Sequence, residues 1–112
     1  MKTSRIKVRG LVQGVGFRPF VYRIATEASL NGYVRNLGNV VEIILQGSAS
    51  NIKEFQFNLQ NKLPPIAKIN NIEAVDLNEE DEKFSIYTDF DIRQSADDFE
   101  ERQIKLYETG YF

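Results

Sequence analysis

Arg5-Ile6-Lys7-Val8-Arg9-Gly10-Leu11-Val12-Gln13-Gly14-Val15-Gly16-Phe17-Arg18-Pro19-Phe20-Val21-Tyr22-Arg23-Ile24 changes its periodicity half-way along. Ile6, Val8 and Val12 alternate with Lys7, Arg9 and Leu11, the period-two pattern of a half-buried strand, which predicts a strand over residues 5–12. Beyond the loop, Val21, Ile24, Ala25 and Ala28 recur at helical spacing, while Arg23 and Glu27 fall four apart on the other face. Two glycines in three positions sit at the junction, and Pro19 follows where a first helical turn accepts it. The reading is strand, tight loop, helix, with the helix ending near Asn31-Gly32, where glycine supplies a left-handed cap.

Outward from there, Tyr33–Asn36 and Val41–Leu45 flank Leu37-Gly38-Asn39-Val40 and read as a hairpin. Ser50 is placed to cap a second helix, in which Ile52, Phe55, Leu59 and Leu63 share a face before Pro64-Pro65 stops it. In Lys68–Leu77 the spacing of Ile69, Ile72 and Val75 fits neither period cleanly, which predicts a bulged strand. Asn78–Lys83 reads as a solvated acidic turn, and Phe84–Ile92 as a last, interrupted strand. The order β-α-β-β-α-β plus a terminal strand is the split βαβ arrangement: an α+β, ferredoxin-like antiparallel sheet with two helices on one face. Residues 1–95 would form the domain and residues 96–112 an acidic C-terminal extension, helical or frayed.

Composition narrows the chemistry. A length of 112 residues, 42% of them hydrophobic, suits one modest core. Fourteen basic against 16 acidic residues leave a formal charge of -2, so no overall positive field draws nucleic acid or an anionic membrane. No cysteine and no histidine occur, which removes disulfides, thiolate metal sites, cysteine nucleophiles and imidazole bases. No metal and no cofactor is expected. The polar, basic Met1–Lys7 lacks the apolar core of a secretory signal, and no apolar run is long enough to span a membrane, so a cytoplasmic location is the expectation.

An anion site must therefore be local. A glycine-rich turn leading into a helix supplies inward N–H donors for a phosphate, and Arg18 at its end offers a planar fork for two phosphate oxygens. On motif shape alone, a tight turn with a solvated Arg18 explains the same residues equally well.

Gly10-Leu11-Val12-Gln13-Gly14-Val15-Gly16-Phe17-Arg18 resembles the signature of the acylphosphatase family. Arg18–Tyr22, Gly32-Tyr33-Val34-Arg35-Asn36, Pro64-Pro65-Ile66-Ala67-Lys68-Ile69 and Phe90-Asp91-Ile92-Arg93-Gln94-Ser95 extend the resemblance to the N-terminal acylphosphatase domain of HypF-type hydrogenase-maturation carbamoyltransferases, over about residues 4–95. The resemblance implies hydrolysis of a carboxyl-phosphate anhydride without metal or covalent intermediate. It implies catalytic roles for Arg18, which binds phosphate, and Asn36, which positions the attacking water; a phosphate loop then comprises Gln13, Gly14, Val15, Gly16, Phe17 and Arg18. Spacing alone would make Asn36 a strand-end turn residue. The family's second block continues with a turn glycine where Val40 stands, so the turn is expected to shift onto Gly38-Asn39, with Asn36 displaced relative to the loop.

Two other readings remain open. One is a binding module for acyl or carbamoyl phosphate within a carbamoyltransferase system, since the multidomain relatives continue into cysteine-rich and catalytic regions. The other is an interaction protein acting through the extension, where Ser95-Ala96-Asp97-Asp98 resembles a helix N-cap and Phe99, Leu106, Tyr107, Tyr111 and Phe112 offer contacts for a protein partner or for self-association. A solvated acidic helix is the blander account of the same residues.

Overall fold

The computed structural model describes residues 1–78 and 84–94, leaving 79–83 and 95–112 outside the described set. Its elements are β1 (Lys2–Leu11), α1 (Phe17–Glu27), β2 (Asn31–Asn36), β3 (Val41–Gly47), α2 (Ala49–Asn61), β4 (Lys68–Leu77) and β5 (Phe90–Ile92). They build one five-stranded sheet in the order β4-β1-β3-β2-β5. The expectation for residues 96–112, and all but the first residue of the acidic turn, falls outside the described residues.

Both helices pack on one face. Phe17, Val21 and Ile24 of α1 and Ile52, Phe55 and Leu59 of α2 meet Ile6, Val8, Val34, Val41, Ile43 and Leu45 of the sheet in a single buried cluster. Alternation along each strand then sends Thr3, Tyr33, Glu42, Ile44 and Gln46 to the opposite face. These residues are buried as well, which an open-faced sheet would not allow. The stretch after residue 83 explains it by crossing that face: Gln46 Nε2 donates to Ser85 O at 2.6 Å, Tyr87 N donates to Gln46 Oε1 at 2.8 Å, and the Tyr87 ring meets Tyr33 edge-on at 5.6 Å.

The first four strands pair antiparallel, as the element order predicts, but the sheet is mixed rather than wholly antiparallel, because β5 runs parallel to β2. Topology requires this. β4 leaves the sheet at the end where β2 begins, the chain crosses the face there, and it can continue along the far edge only in β2's own direction. Asn31 Nδ2 donating to Tyr87 O and Gly32 N donating to Asp89 O mark that end. The interrupted last strand is thus a crossing segment followed by three paired residues.

Three local expectations shift. α1 ends four residues before Asn31, and Ser29, not Gly32, takes the left-handed position at φ 56°. Leu30 N bonds to Ala25 O and Ser29 N to Thr26 O, the two hydrogen bonds of a Schellman cap. Gly32 is needed for another reason: a Cβ there would lie 1.9 Å from Ile44 O on the neighbouring strand. The second helix is capped by Ser48, whose Oγ accepts from Asn51 N at 3.1 Å, because Ser50 already lies inside it. The bulge falls where β4 meets the end of β1: Arg9 faces Asn71 and Gly10 faces Ile69, leaving Asn70 as the extra residue. Among the described residues no helix is long and apolar enough to cross a membrane.

Candidate functional site

The loop between β1 and α1 is fixed at both ends by the core. Val12 and Phe17 are both buried, and Phe17 packs against Phe20 with ring centroids 6.0 Å apart. Between them, Gly14 and Gly16 hold φ of 71° and 77°, values that an L side chain adopts only at a cost. A Cβ at either position would meet nothing within 4 Å, so backbone conformation rather than crowding demands glycine here, and the space over the loop is open. Gly16 is also the N-cap of α1, with no side-chain cap hydrogen bond. Helix geometry leaves the first amides without an intrahelical acceptor and puts partial positive charge at that end. Arg18 is the second residue of α1 and is half-buried beside the loop.

Strand register brings the second predicted residue to the same place. β1 and β3 are antiparallel with Val8 opposite Val41, and β3 and β2 are antiparallel with Asn36 opposite Val41. The end of β1, from which the loop departs, and the end of β2, which carries Asn36, therefore lie at one end of the sheet. Asn36 has the parity of Val34, so its side chain is on the helix-bearing face, the side on which the loop enters α1. It is 6% exposed, and its Oδ1 is buried with no donor to it among the described residues.

A direct tie connects loop and hairpin: Gln13 Nε2 donates to the carbonyl of Gly38. Gly38 takes the left-handed conformation at φ 78°, and Leu37 N closes the turn onto Val40 O at 2.7 Å. The turn has thus shifted onto Gly38-Asn39 as expected, and Val40 is buried with an ordinary backbone conformation. The Gln13 side chain is directed to this turn while its backbone stays in the loop between β1 and α1. That bridge had no signal in the sequence beyond the presence of a long amide opposite a turn.

Behind Asn36, on the opposite face of the hairpin, Glu42 forms a buried hub. Its Oε1 accepts from Tyr33 Oη at 2.9 Å and from Arg35 Nε at 2.8 Å. Burial and the hydrogen bond to Glu42 push the Tyr33 phenol up to about 12. Arg93, which follows β5, places its guanidinium 3.9 Å over the Tyr33 ring. A larger groove of about 680 Å³ lies at the far end of α1, between Tyr22 and Asp91, but its lining has two aspartates and no cation, which is wrong for an anion.

The family model of acylphosphatases matches residues 4–92. The chain belongs to the acylphosphatase family. It is 44% identical over 72 residues to an acylphosphatase of Caldivirga maquilingensis, a match covering 62% of this chain and 75% of that protein. It is 52% identical over 73 residues to a probable carbamoyltransferase HypF of Methanocaldococcus jannaschii, covering 65% of this chain but only 10% of that much longer protein. The crystal structure of the Bacillus subtilis acylphosphatase superposes with a TM-score of 0.74 at 32% identity, covering 83% of this chain and 99% of that one. The acylphosphatase domain described above has the ferredoxin-like fold of these relatives, and both acylphosphatases and carbamoyltransferases HypF are among the proteins it resembles.

Proposed function

We propose that this domain hydrolyses acyl phosphates to a carboxylate and inorganic phosphate. The observation that carries the reading is the left-handed Gly14/Gly16 loop at the start of α1, bonded through Gln13 to the hairpin that presents Asn36. In this mechanism the backbone amides of residues 14–18 and the guanidinium of Arg18 bind the phosphate oxygens, and the donors are aimed in advance at charge that grows in the transition state. Asn36 accepts from the attacking water through its amide carbonyl and aligns it with the scissile bond. The water oxygen bonds to phosphorus, the bridging P–O bond breaks with its electron pair leaving on the carboxylate, and the water proton passes to phosphate and solvent. A carboxylate is a good leaving group, so positioning and electrostatics suffice, and no metal enters the scheme.

The second reading is a module that binds carbamoyl or another acyl phosphate within a larger carbamoyltransferase; the HypF relatives, of which the matched stretch is a tenth, are compatible with it. Benzoyl phosphate turnover by the chain, with and without EDTA, separates the two. The hydrolase reading expects turnover that EDTA leaves unchanged, and Asn36→Ala that loses most of it while inorganic phosphate still binds. Phosphate binding with no release from benzoyl phosphate would establish the binding module instead.

A further inference from the structure

The phosphate loop opens sideways into a groove that the reaction as described does not use. It has a volume of about 450 Å³, within the range of small-ligand clefts, about 300–1,000 Å³, and it begins at Val15 and Gly16 of the loop itself. Its walls are Pro19 and Phe20 from the first turn of α1 and Pro64 and Pro65 from the connection between α2 and β4. These walls are stiff. Prolines restrict the backbone on both sides, Phe20 is buried in the core, and Ala67 N donating to Pro64 O at 3.0 Å closes the far turn.

Two cations, Arg23 and Lys62, line the groove, and no carboxylate is among its lining residues within the described set. Lys62 is the exposed C-cap residue of α2. Arg23 lies over the Phe20 ring at 5.6 Å and pairs with Glu27 at 3.7 Å, a contact between two exposed side chains that leaves it available to a second anion. An open groove that begins at the proposed phosphate site, has proline and phenylalanine walls and carries two positive charges is matched by a ligand with the same combination of properties.

On the reading of the loop as a phosphate site, we propose that this groove is the acyl-group subsite and selects acyl phosphates whose apolar body carries a second, distal carboxylate. The phosphate lies on the loop, the acyl carbon skeleton lies along Pro19, Phe20 and Pro64, and the distal carboxylate reaches Arg23 and Lys62. Small neutral acyl groups would leave the far half of the groove empty and be poorer substrates.

The test compares 4-carboxybenzoyl phosphate with benzoyl phosphate in turnover, and 4-carboxyphenylphosphonate with phenylphosphonate in calorimetric binding. The full chain should favour the carboxylate-bearing member of each pair about fivefold at low salt, less as ionic strength rises. The preference should fall to about one in Arg23→Gln/Lys62→Met; Lys62→Glu, a single change at an exposed residue, should invert it if the double variant is unstable. A ratio near one in the wild type, or a preference that survives the charge changes, overturns the subsite. Failure to bind either phosphonate would overturn the phosphate site, and the subsite with it. Binding of both phosphonates with the expected preference but no turnover would overturn hydrolysis alone and leave the subsite standing.

Discussion

Removing the Glu42 carboxylate should unsettle the hairpin that carries Asn36, and the geometry sets the size of the effect. Glu42 is buried with one oxygen, Oε1, receiving both Tyr33 Oη at 2.9 Å and Arg35 Nε at 2.8 Å. A hydrogen bond to a charged group contributes about 1.5–3 kcal/mol, and leaving a buried donor unsatisfied costs the same order. Breaking a fully buried ion pair costs about 3–5 kcal/mol, but the Arg35 side chain is 37% exposed and water can replace part of its partner, so roughly 1–2 kcal/mol is appropriate here. The two bonds share one acceptor and do not simply add. Glu42→Ala is therefore expected to cost about 3 kcal/mol, a fall in Tm of roughly 12–24 °C for a domain of this size. Urea denaturation of a double-mutant cycle checks the cause: Tyr33→Phe alone should cost about 1.5–2 kcal/mol, and in the Glu42→Ala background only about 0.5 kcal/mol, a coupling of about 1 kcal/mol or more. A cost below about 1 kcal/mol for Glu42→Ala, or a coupling below about 0.3 kcal/mol, would refute the hub.

Arg18→Lys should be almost as damaging to benzoyl phosphate hydrolysis as Arg18→Ala, because lysine keeps the charge but loses the planar fork; losses of about 10²–10³ in kcat/KM are expected, and retention of more than about a third of the wild-type value would reject a bidentate contact. The Tyr33 phenol is held at about 12 against 10.0 in the unfolded chain, so between these pH values the unfolded state releases a proton that the folded state retains. Its contribution, about 2–3 kcal/mol, is fully present below pH 10 and is lost as pH rises toward 12, which urea denaturation across that window should show and Tyr33→Phe should abolish. Gly32→Ala places a methyl 1.9 Å from Ile44 O at a φ of 137°, and chemical denaturation should register a loss of about 3 kcal/mol or more, or no folded protein.

The core strands and both helices were legible because each buries one face, and burial on one face writes its period into the sequence. Where two faces are buried the signal fails. β3 alternates Val41, Ile43 and Leu45 with Glu42, Ile44 and Gln46, which reads as an ordinary half-exposed strand, yet Glu42 is buried against Tyr33 and Arg35 of β2 and Gln46 beneath the Ser85–Tyr87 crossing. The partners of Gln46 reveal that second layer, and they lie 39 and 41 residues further along the chain. The same reason hid the parallel pairing of β5, since a strand's direction follows from where the chain left the sheet and not from its own residues. Local cap positions misled for a smaller reason: Ser48 and Ser50, or Ser29 and Gly32, are chemically competent alternatives, and the register of the helix against the core decides between them.

The site divides in the same way. Conformation and charge in the Gln13–Arg18 loop are local properties, and two left-handed glycines before a helix that carries an arginine can be read from six consecutive residues. Asn36 cannot be read so, because 18 residues separate it from Arg18, and nothing at its own position distinguishes a water-orienting amide from a strand-end turn residue. What joins them is the two-step antiparallel relay from β1 through β3 to β2, which returns the chain to the end from which it left, together with the Gln13 bond to Gly38. Gly38 takes the left-handed position of the turn, and the Gln13 bond anchors that turn to the loop. On the proposed reading, replacing Gln13 should loosen the hairpin turn that follows Asn36 without touching the strand that carries it, so Gln13→Ala should lower benzoyl phosphate turnover more than thermal stability.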